Sequence, residues 1–382
     1  MKQRGITRIL AVMLLLAGCS SSPRAGEATL FEGLDENIER RLLIRADEET
    51  RNIDAGGLLY EDKELEQYVN DVARKLQGSA ESRAVKVKVI KNPYLSAFAM
   101  PNGRIYLHTG MLAAMENEAQ LATILGHEMA HVSNRHAAKK YTKERIRSES
   151  KVTLNSWLGA FGESLGQFAI MASVNGYSRE FEAEADREGI KRAVRAGYDP
   201  REAPKLYSLL MQEINKKKKK KIPLAYSDHP YIQDRIRNCE EMIASEYRGK
   251  EGASNEEDFR RRTNPLLLDT AVLDLKLGDF AVAERIVEKH LKWKSDDARA
   301  YFLLGEIARG QGQVGGEQKA IAHYRKAVSL RKNYAEPYRA MGLMAYKKGD
   351  KQEARKNLEG YLALRSDASD ADYIRQYINE CK

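Results

Sequence analysis

Beyond its first residues the sequence has no long hydrophobic run, so no ordinary membrane span follows the start of the chain. Cysteine is scarce: Cys19, Cys239 and Cys381 are the only three in 382 residues, so few disulfides are open to the chain. Positive charge is not spread along the sequence either. Of the formal +9, three charges come from Lys2, Arg4 and Arg8 and six from the run Lys216 to Lys221. The remainder is near neutral. The basic balance therefore does not signal a nucleic-acid-binding surface and marks one concentrated basic segment, ordinarily a solvated loop. What is present is a globular composition, 42% hydrophobic and 31% charged. The length exceeds one typical core and predicts two domains.

Lys2, Arg4 and Arg8 precede a short apolar stretch, Ile9 to Ala17, which has the shape of a secretory signal and is too short to span a bilayer. It ends in Leu16-Ala17-Gly18-Cys19, which resembles the bacterial lipoprotein box. The resemblance implies cleavage before Cys19 and lipidation of its thiol. Ser20, rather than Asp, after that cysteine implies sorting to the outer membrane. Residues 19–35 then form a polar tether. Export places Cys239 and Cys381 in a disulfide-permissive compartment, as one bridge or as two buried thiols. Beside a lipid anchor, the lysine run is a candidate contact for an anionic membrane surface or for acidic substrates.

Residues 36–52 and 62–77 read as charged amphipathic helices. Val85 to Val89 alternates apolar and polar, a strand signal. Ala97-Phe98-Ala99-Met100 and Arg104 to His108 flank Pro101-Asn102-Gly103 and predict a hairpin. Residues 117–140 read as one long helical pattern, and the weakly apolar segment 152–174 as a buried or site-covering segment, with membrane contact as the alternative. The polar stretch 246–263 reads as a linker. After it, Gly278-Asp279 aligns with Gly349-Asp350, which places Ala271 on Gly342, Ala283 on Ala354 and Val287 on Leu358. A middle unit has Tyr301, Gly305, Ala320, Tyr324 and Ala327 in the same roles, its spacing stretched at Gln313 to Gly316. The period is close to the tetratricopeptide (TPR) repeat of about 34 residues, and three helix pairs suffice for a stacked array. The expected fold is therefore mainly α with a small β-hairpin or sheet, followed by an all-α solenoid. Its divisions are a signal at 1–18, the tether, a catalytic domain at 36–245, the linker at 246–263 and helical repeats at 264–382.

The chemistry centres on His127-Glu128-Met129-Ala130-His131. On a helix, positions i and i+4 share a face, so His127 and His131 can chelate one Zn²⁺ as neutral imidazoles. Glu128 lies one step round and is placed to act on a water at the metal. A catalytic zinc needs a third protein ligand. The metzincin pattern would put Gly at 134 and His at 137, where this chain has Asn134 and Ala137. If the helix continues, His136 points about 180° away from His127. The third ligand must come from elsewhere. Ser178 to Asp186 offers Glu182 and Asp186 four apart, one to ligate and one to orient a histidine. By spacing alone Glu180 and Glu184 compete.

His-Glu-x-x-His followed about fifty residues later by Glu-x-x-x-Asp resembles the HtpX and CAAX-prenyl-protease family of gluzincins. Over roughly residues 60–245 the chain is similar to the BepA- and LoiP-like periplasmic branch. Ser96 to Ala99 with Pro101-Asn102-Gly103, Tyr177-Ser178-Arg179, Ala196 to Pro200, and His229-Pro230 with Arg235 carry that likeness. It implies Glu182 as the third ligand and Asp186 as the orienting carboxylate. It places His229 and Arg235 beside the metal as oxyanion partners, with His229 also a candidate fourth ligand. The edge at Ala97, Phe98 and Ala99 becomes the place where extended substrate adds as a strand. The expectation is a lipid-anchored zinc metalloendopeptidase of the bacterial envelope. Its substrates would be unfolded or misassembled envelope proteins, and its repeats would reach the outer-membrane assembly machinery. The competing reading is a TPR scaffold, chaperone-like, with a latent peptidase domain.

Overall fold

The computed structural model describes residues 25–77, 84–147, 177–218 and 231–382. Cys19, the segment 152–174 and His229 lie outside the described residues. The lysine run starts within a helix at 216–218, and its remainder also lies outside them.

Helix α1 (Ala25–Ala55) precedes α2 (Lys63–Leu76). Asp62 caps α2 by accepting from the Leu65 amide at 3.0 Å. Leu65, Tyr68, Val69, Val72 and Leu76 recur at helical spacing and turn one face of α2 inward. In β1 (Lys86–Ile90), Val87 and Val89 are buried and the lysines face outward. The expected hairpin forms between β2 (Ala97–Ala99) and β3 (Arg104–His108). Gly103 takes φ 87° at its tip, a conformation open to glycine. β1 pairs parallel and β2 antiparallel with β3, in the order β1-β3-β2, so β2 is an edge strand.

The strands separate two apolar layers. Val87, Val89, Ala97, Ile105 and Leu107 face the main core with α2 and the motif helix. Ile90, Phe98, Met100 and Tyr106 face Ile38, Leu42, Ala46 and Ile53 of α1. Asn102 at the hairpin tip donates to Asp47 Oδ1 at 2.8 Å and Thr50 Oγ1 at 3.1 Å, which pins the turn to α1.

Then come α3 (Thr109–Ala114), α4 (Glu118–Ser133), α5 (His136–Arg147), α6 (Arg179–Arg195), α7 (Glu202–Lys218) and α8 (Ile232–Glu246). The pattern at 117–140 is not one helix. Asn134 ends α4, and Arg135 takes a left-handed φ of 54° before α5 restarts.

The stretch 246–263 also differs from a free linker. The Ala253 amide donates to Gly197 O at 2.9 Å, and Ser254 O accepts from the Glu118 amide at 3.0 Å. Helix α9 (Glu256–Lys276) starts inside the stretch and buries Phe259 and Thr263. Its polarity belongs to the outward Glu256 and Glu257, which mask an inward face.

The following helices are α10 (Phe280–Leu291), α11 (Ala298–Gly310), α12 (Gly316–Leu330), α13 (Ala335–Lys347), α14 (Lys351–Leu364) and α15 (Ala371–Glu380). They pair as α9/α10, α11/α12 and α13/α14. Gly278 and Gly349 make equivalent turns, at φ 73° and 77°. A Cβ at Gly305 would lie 2.3 Å from the Tyr324 ring, and one at Gly342 2.6 Å from Leu358, so small residues permit the close helix approach. The main core is continuous from Leu65 to Ile307, so the first hairpins share it with the strands and the motif helix. Cys239 and Cys381 are both buried free thiols. Among the described residues, no helix is long and apolar enough to cross a membrane.

Candidate metal centre

Helix α4 is buried from Glu118 to His131, and Asn117 caps it by accepting from the Gln120 amide at 3.0 Å. Helix α6 crosses it, capped by Ser178, whose Oγ accepts from the Phe181 amide at 3.4 Å. The crossing brings donor atoms of His127, His131 and Glu182 within 4.8 Å of one another, all three buried. The two imidazole Nε2 atoms are 3.0 Å apart. Glu182 Oε2 is 3.6 Å from His127 Nε2, and Oε1 is 3.7 Å from His131 Nε2. Donors on a tetrahedral Zn²⁺ at about 2.0–2.1 Å would stand about 3.3 Å apart, so this set fits that ion.

The remaining ring nitrogens point away from the donor cluster. His127 Nδ1 lies 2.9 Å from Asp186 Oδ1. Arg235 on α8 grips Asp186 with Nε to Oδ2 at 2.8 Å and Nη2 to Oδ1 at 2.6 Å. Tyr207 on α7 donates its hydroxyl to Asp186 Oδ1 at 2.7 Å. Burial alone would push the Asp186 carboxyl up, but Arg235 and His127 together hold it well below the usual carboxylate range. Burial pushes His127 down, and Arg235 adds to that, against the pull of Asp186 and Glu182. Neutral imidazole is the ligating form.

Residues 60–243 match the description Peptidase family M48. The chain thus contains a peptidase M48 domain. It is 29% identical over 192 residues to a putative beta-barrel assembly-enhancing protease of Vibrio cholerae, covering 47% of this chain and 39% of that protein. It is 27% identical over 203 residues to the beta-barrel assembly-enhancing protease of Escherichia coli, covering 49% and 40%. A third relative is mitochondrial metalloendopeptidase OMA1 of Arabidopsis thaliana, 35% identical over 134 residues, covering 33% and 25%. The chain thus spans between a quarter and two fifths of the length of these curated relatives.

The M48 domain brings His127, Glu128, His131, Glu182, Asp186 and Arg235 into one buried region. Glu180 and Glu184, which spacing alone left open as ligands, are not in the donor cluster. Tyr177 stacks on His131 with ring centroids 4.1 Å apart. Burial pushes its phenol pKa up, and the charges of Glu128 and Glu182 add to the shift. Arg235 does not fit the expected oxyanion partner. Its Nη1 is 3.4 Å from Glu182, and its other nitrogens face Asp186 and Tyr207. Ala97, Phe98 and Ala99 form the edge strand, but the Phe98 side chain is buried against Tyr106, 5.3 Å between centroids. That edge offers backbone groups rather than the Phe98 ring.

Tyr207 carries no sequence signal, because it comes from a helix outside both motifs. A continuous helix would turn His136 away from His127, but the break at Asn134 and Arg135 reorients it. Gly126 and Gly189, where α4 and α6 touch, permit the crossing and belong to neither metal motif.

Proposed function

We propose that the chain is a zinc-dependent metalloendopeptidase of the bacterial cell envelope, anchored through lipid on Cys19. The observation that carries this reading is the donor cluster. Three buried ligand atoms converge while Asp186 and His136 occupy the outward nitrogens of both histidines. When bound, Zn²⁺ supplies Lewis acidity toward water and a peptide carbonyl. Glu128, next to His127 on the buried helix, takes a proton from water and returns it to the leaving amine. Asp186 holds the His127 tautomer, and Arg235 holds Asp186 and Glu182 in place. His229, outside the described residues, would support the developing oxyanion or serve as a fourth ligand to the ion. An extended substrate adds to the β2 edge through backbone hydrogen bonds, which selects for unfolded chains with little sequence preference.

Two relatives are named for enhancing β-barrel assembly, which supports misassembled envelope proteins as the substrate class. The helical hairpins after residue 264 are TPR-like and recruit substrates or the outer-membrane assembly machinery. The test is Glu128→Gln in purified protein. Cleavage of an unfolded substrate should fall by about 10²- to 10⁴-fold with zinc content unchanged. Wild-type rates in that variant would overturn Glu128 as the base, whereas no zinc-dependent cleavage by the wild type itself would favour the scaffold reading.

A further inference from the structure

The metal ligand His127 leans on a carboxylate, Asp186. At its outer nitrogen His131 meets another imidazole. Its Nδ1 lies 2.8 Å from His136 Nδ1, and His136 Nε2 lies 3.3 Å from Glu184 Oε2. We propose that His136, backed by Glu184, is the positioning residue that sets the tautomer and ring plane of His131 for metal binding. The inference rests on the metal-site reading above.

The protons leave one neutral arrangement. A histidine that ligates through Nε2 carries its proton on Nδ1. His131 Nδ1–H can then donate to His136 Nδ1, which lies at hydrogen-bond distance. To accept, His136 must be bare at Nδ1 and protonated at Nε2. That Nε2–H in turn faces the Glu184 carboxylate. The relay runs from His131 to His136 to Glu184, one ring longer than the His127 to Asp186 pair.

The fold holds this ring in place. His136 is fully buried and stacks on Phe181, with centroids 4.5 Å apart and planes at 15°. Tyr177 covers a face of His131. The turn that delivers His136 depends on Arg135, which takes a left-handed φ of 54°, unusual for a residue with a side chain. Its guanidinium pairs with Glu39 of α1, which anchors the turn. On a continuous helix His136 would face away from the site. Here it stands behind His131, on the side opposite the metal-facing Nε2, and so supports a ligand rather than being one.

Zinc affinity of the full chain, measured by chelator competition, tests the relay. His136→Asn keeps an acceptor near the Nδ1 position, and His136→Phe fills the space without one. The Phe variant should bind zinc about 10- to 100-fold more weakly, and its Co²⁺-loaded absorption spectrum should change. The Asn variant should recover most of both, and Glu184→Ala should give a smaller loss. In the zinc-loaded wild type, long-range ¹H–¹⁵N spectra should show His136 protonated at Nε2. Wild-type zinc affinity in the Phe variant, equal losses in the Asn and Phe variants, or a His136 protonated at Nδ1 would each overturn the proposal alone. Absence of one-to-one, His131-dependent zinc binding in the wild type would instead overturn the metal site and the relay together.

Discussion

Gly126 and Gly189 meet backbone to backbone where α4 crosses α6. A Cβ on Gly126 would lie 2.8 Å from the Gly189 carbonyl oxygen, and one on Gly189 would lie 2.8 Å from the His127 amide nitrogen. This contact sets the distance between the helix that carries both histidines and the helix that carries Glu182. Gly189→Ala must therefore push the helices apart, at a cost of about 1–3 kcal/mol for overpacking. The same shift draws Glu182 away from the two Nε2 atoms. Zinc affinity is expected to fall at least about tenfold, the scale of a disturbed ligand shell. Chelator competition with thermal unfolding checks this. An alanine variant with unchanged zinc affinity would show that the crossing does not set ligand geometry.

The pair of Asp186 and Arg235 makes a second prediction. Both side chains are buried, and removing Asp186 takes from Arg235 its closest carboxylate, leaving Glu182 at 3.4 Å. Asp186→Asn should destabilise the metal-free protein by about 3–5 kcal/mol. Because the folded Asp186 pKa is depressed, its contribution is present above the unfolded carboxylate value of about 3.9 and is lost as pH falls through the folded value. The wild type should accordingly lose stability on acidification more steeply than Asp186→Asn. Urea unfolding in chelator at several pH values measures both effects, and parallel curves would contradict the linkage.

The sequence carried the local geometry of the site further than its surroundings. His127 and His131 share a face because helix periodicity requires it, and the hairpin tip was legible because Gly103 needs a positive φ. Glu182 was one of three candidates by spacing, and resemblance to the gluzincin family separated it. Three features escaped for physical reasons. A left-handed break at Arg135 has no marker comparable to glycine, so helix periodicity alone cannot bring His136 behind His131. Tyr207 reaches Asp186 by tertiary packing alone. The acidic first turn of α9 hides Phe259 and the leucines behind it, so a core element read as a linker.

His108 offers a pH test away from the ligands. It ends β3 next to the edge strand, and burial pushes its pKa down to about 4, opposed by a hydrogen bond that the ring donates to the Tyr94 backbone. The unfolded chain binds the proton at a pKa of about 6.5. Between those values the unfolded state holds more protons, so stability falls as pH drops from about 6.5 to about 4. The full shift is worth roughly 3 kcal/mol. His108→Gln should flatten this window in denaturant titrations. An unchanged slope would place the pH dependence elsewhere.

The last prediction concerns where the chain can be cut. Leu266, Leu267, Leu268 and Ala271 of α9 belong to the same buried cluster as Leu121 and Leu125 of the motif helix. Lys289 of α10 reaches back to donate to Ala113 O at 2.7 Å and Met115 O at 2.6 Å, and Tyr60 donates to Asp269 at 2.9 Å. Each buried leucine contributes about 1.5–3 kcal/mol, so three of them approach the entire 5–15 kcal/mol that holds a typical domain. A chain ended after residue 263 should therefore lack a cooperative unfolding transition and fail to retain zinc. Ending it after residue 331 leaves that cluster whole, since its last member is Ile307, and removes only helices that pack on α12 and beyond. This longer fragment should unfold cooperatively and keep one zinc. Circular dichroism melts with metal analysis on both fragments decide the matter. A well-folded, zinc-loaded 1–263 fragment would show that the helical hairpins are dispensable to the core.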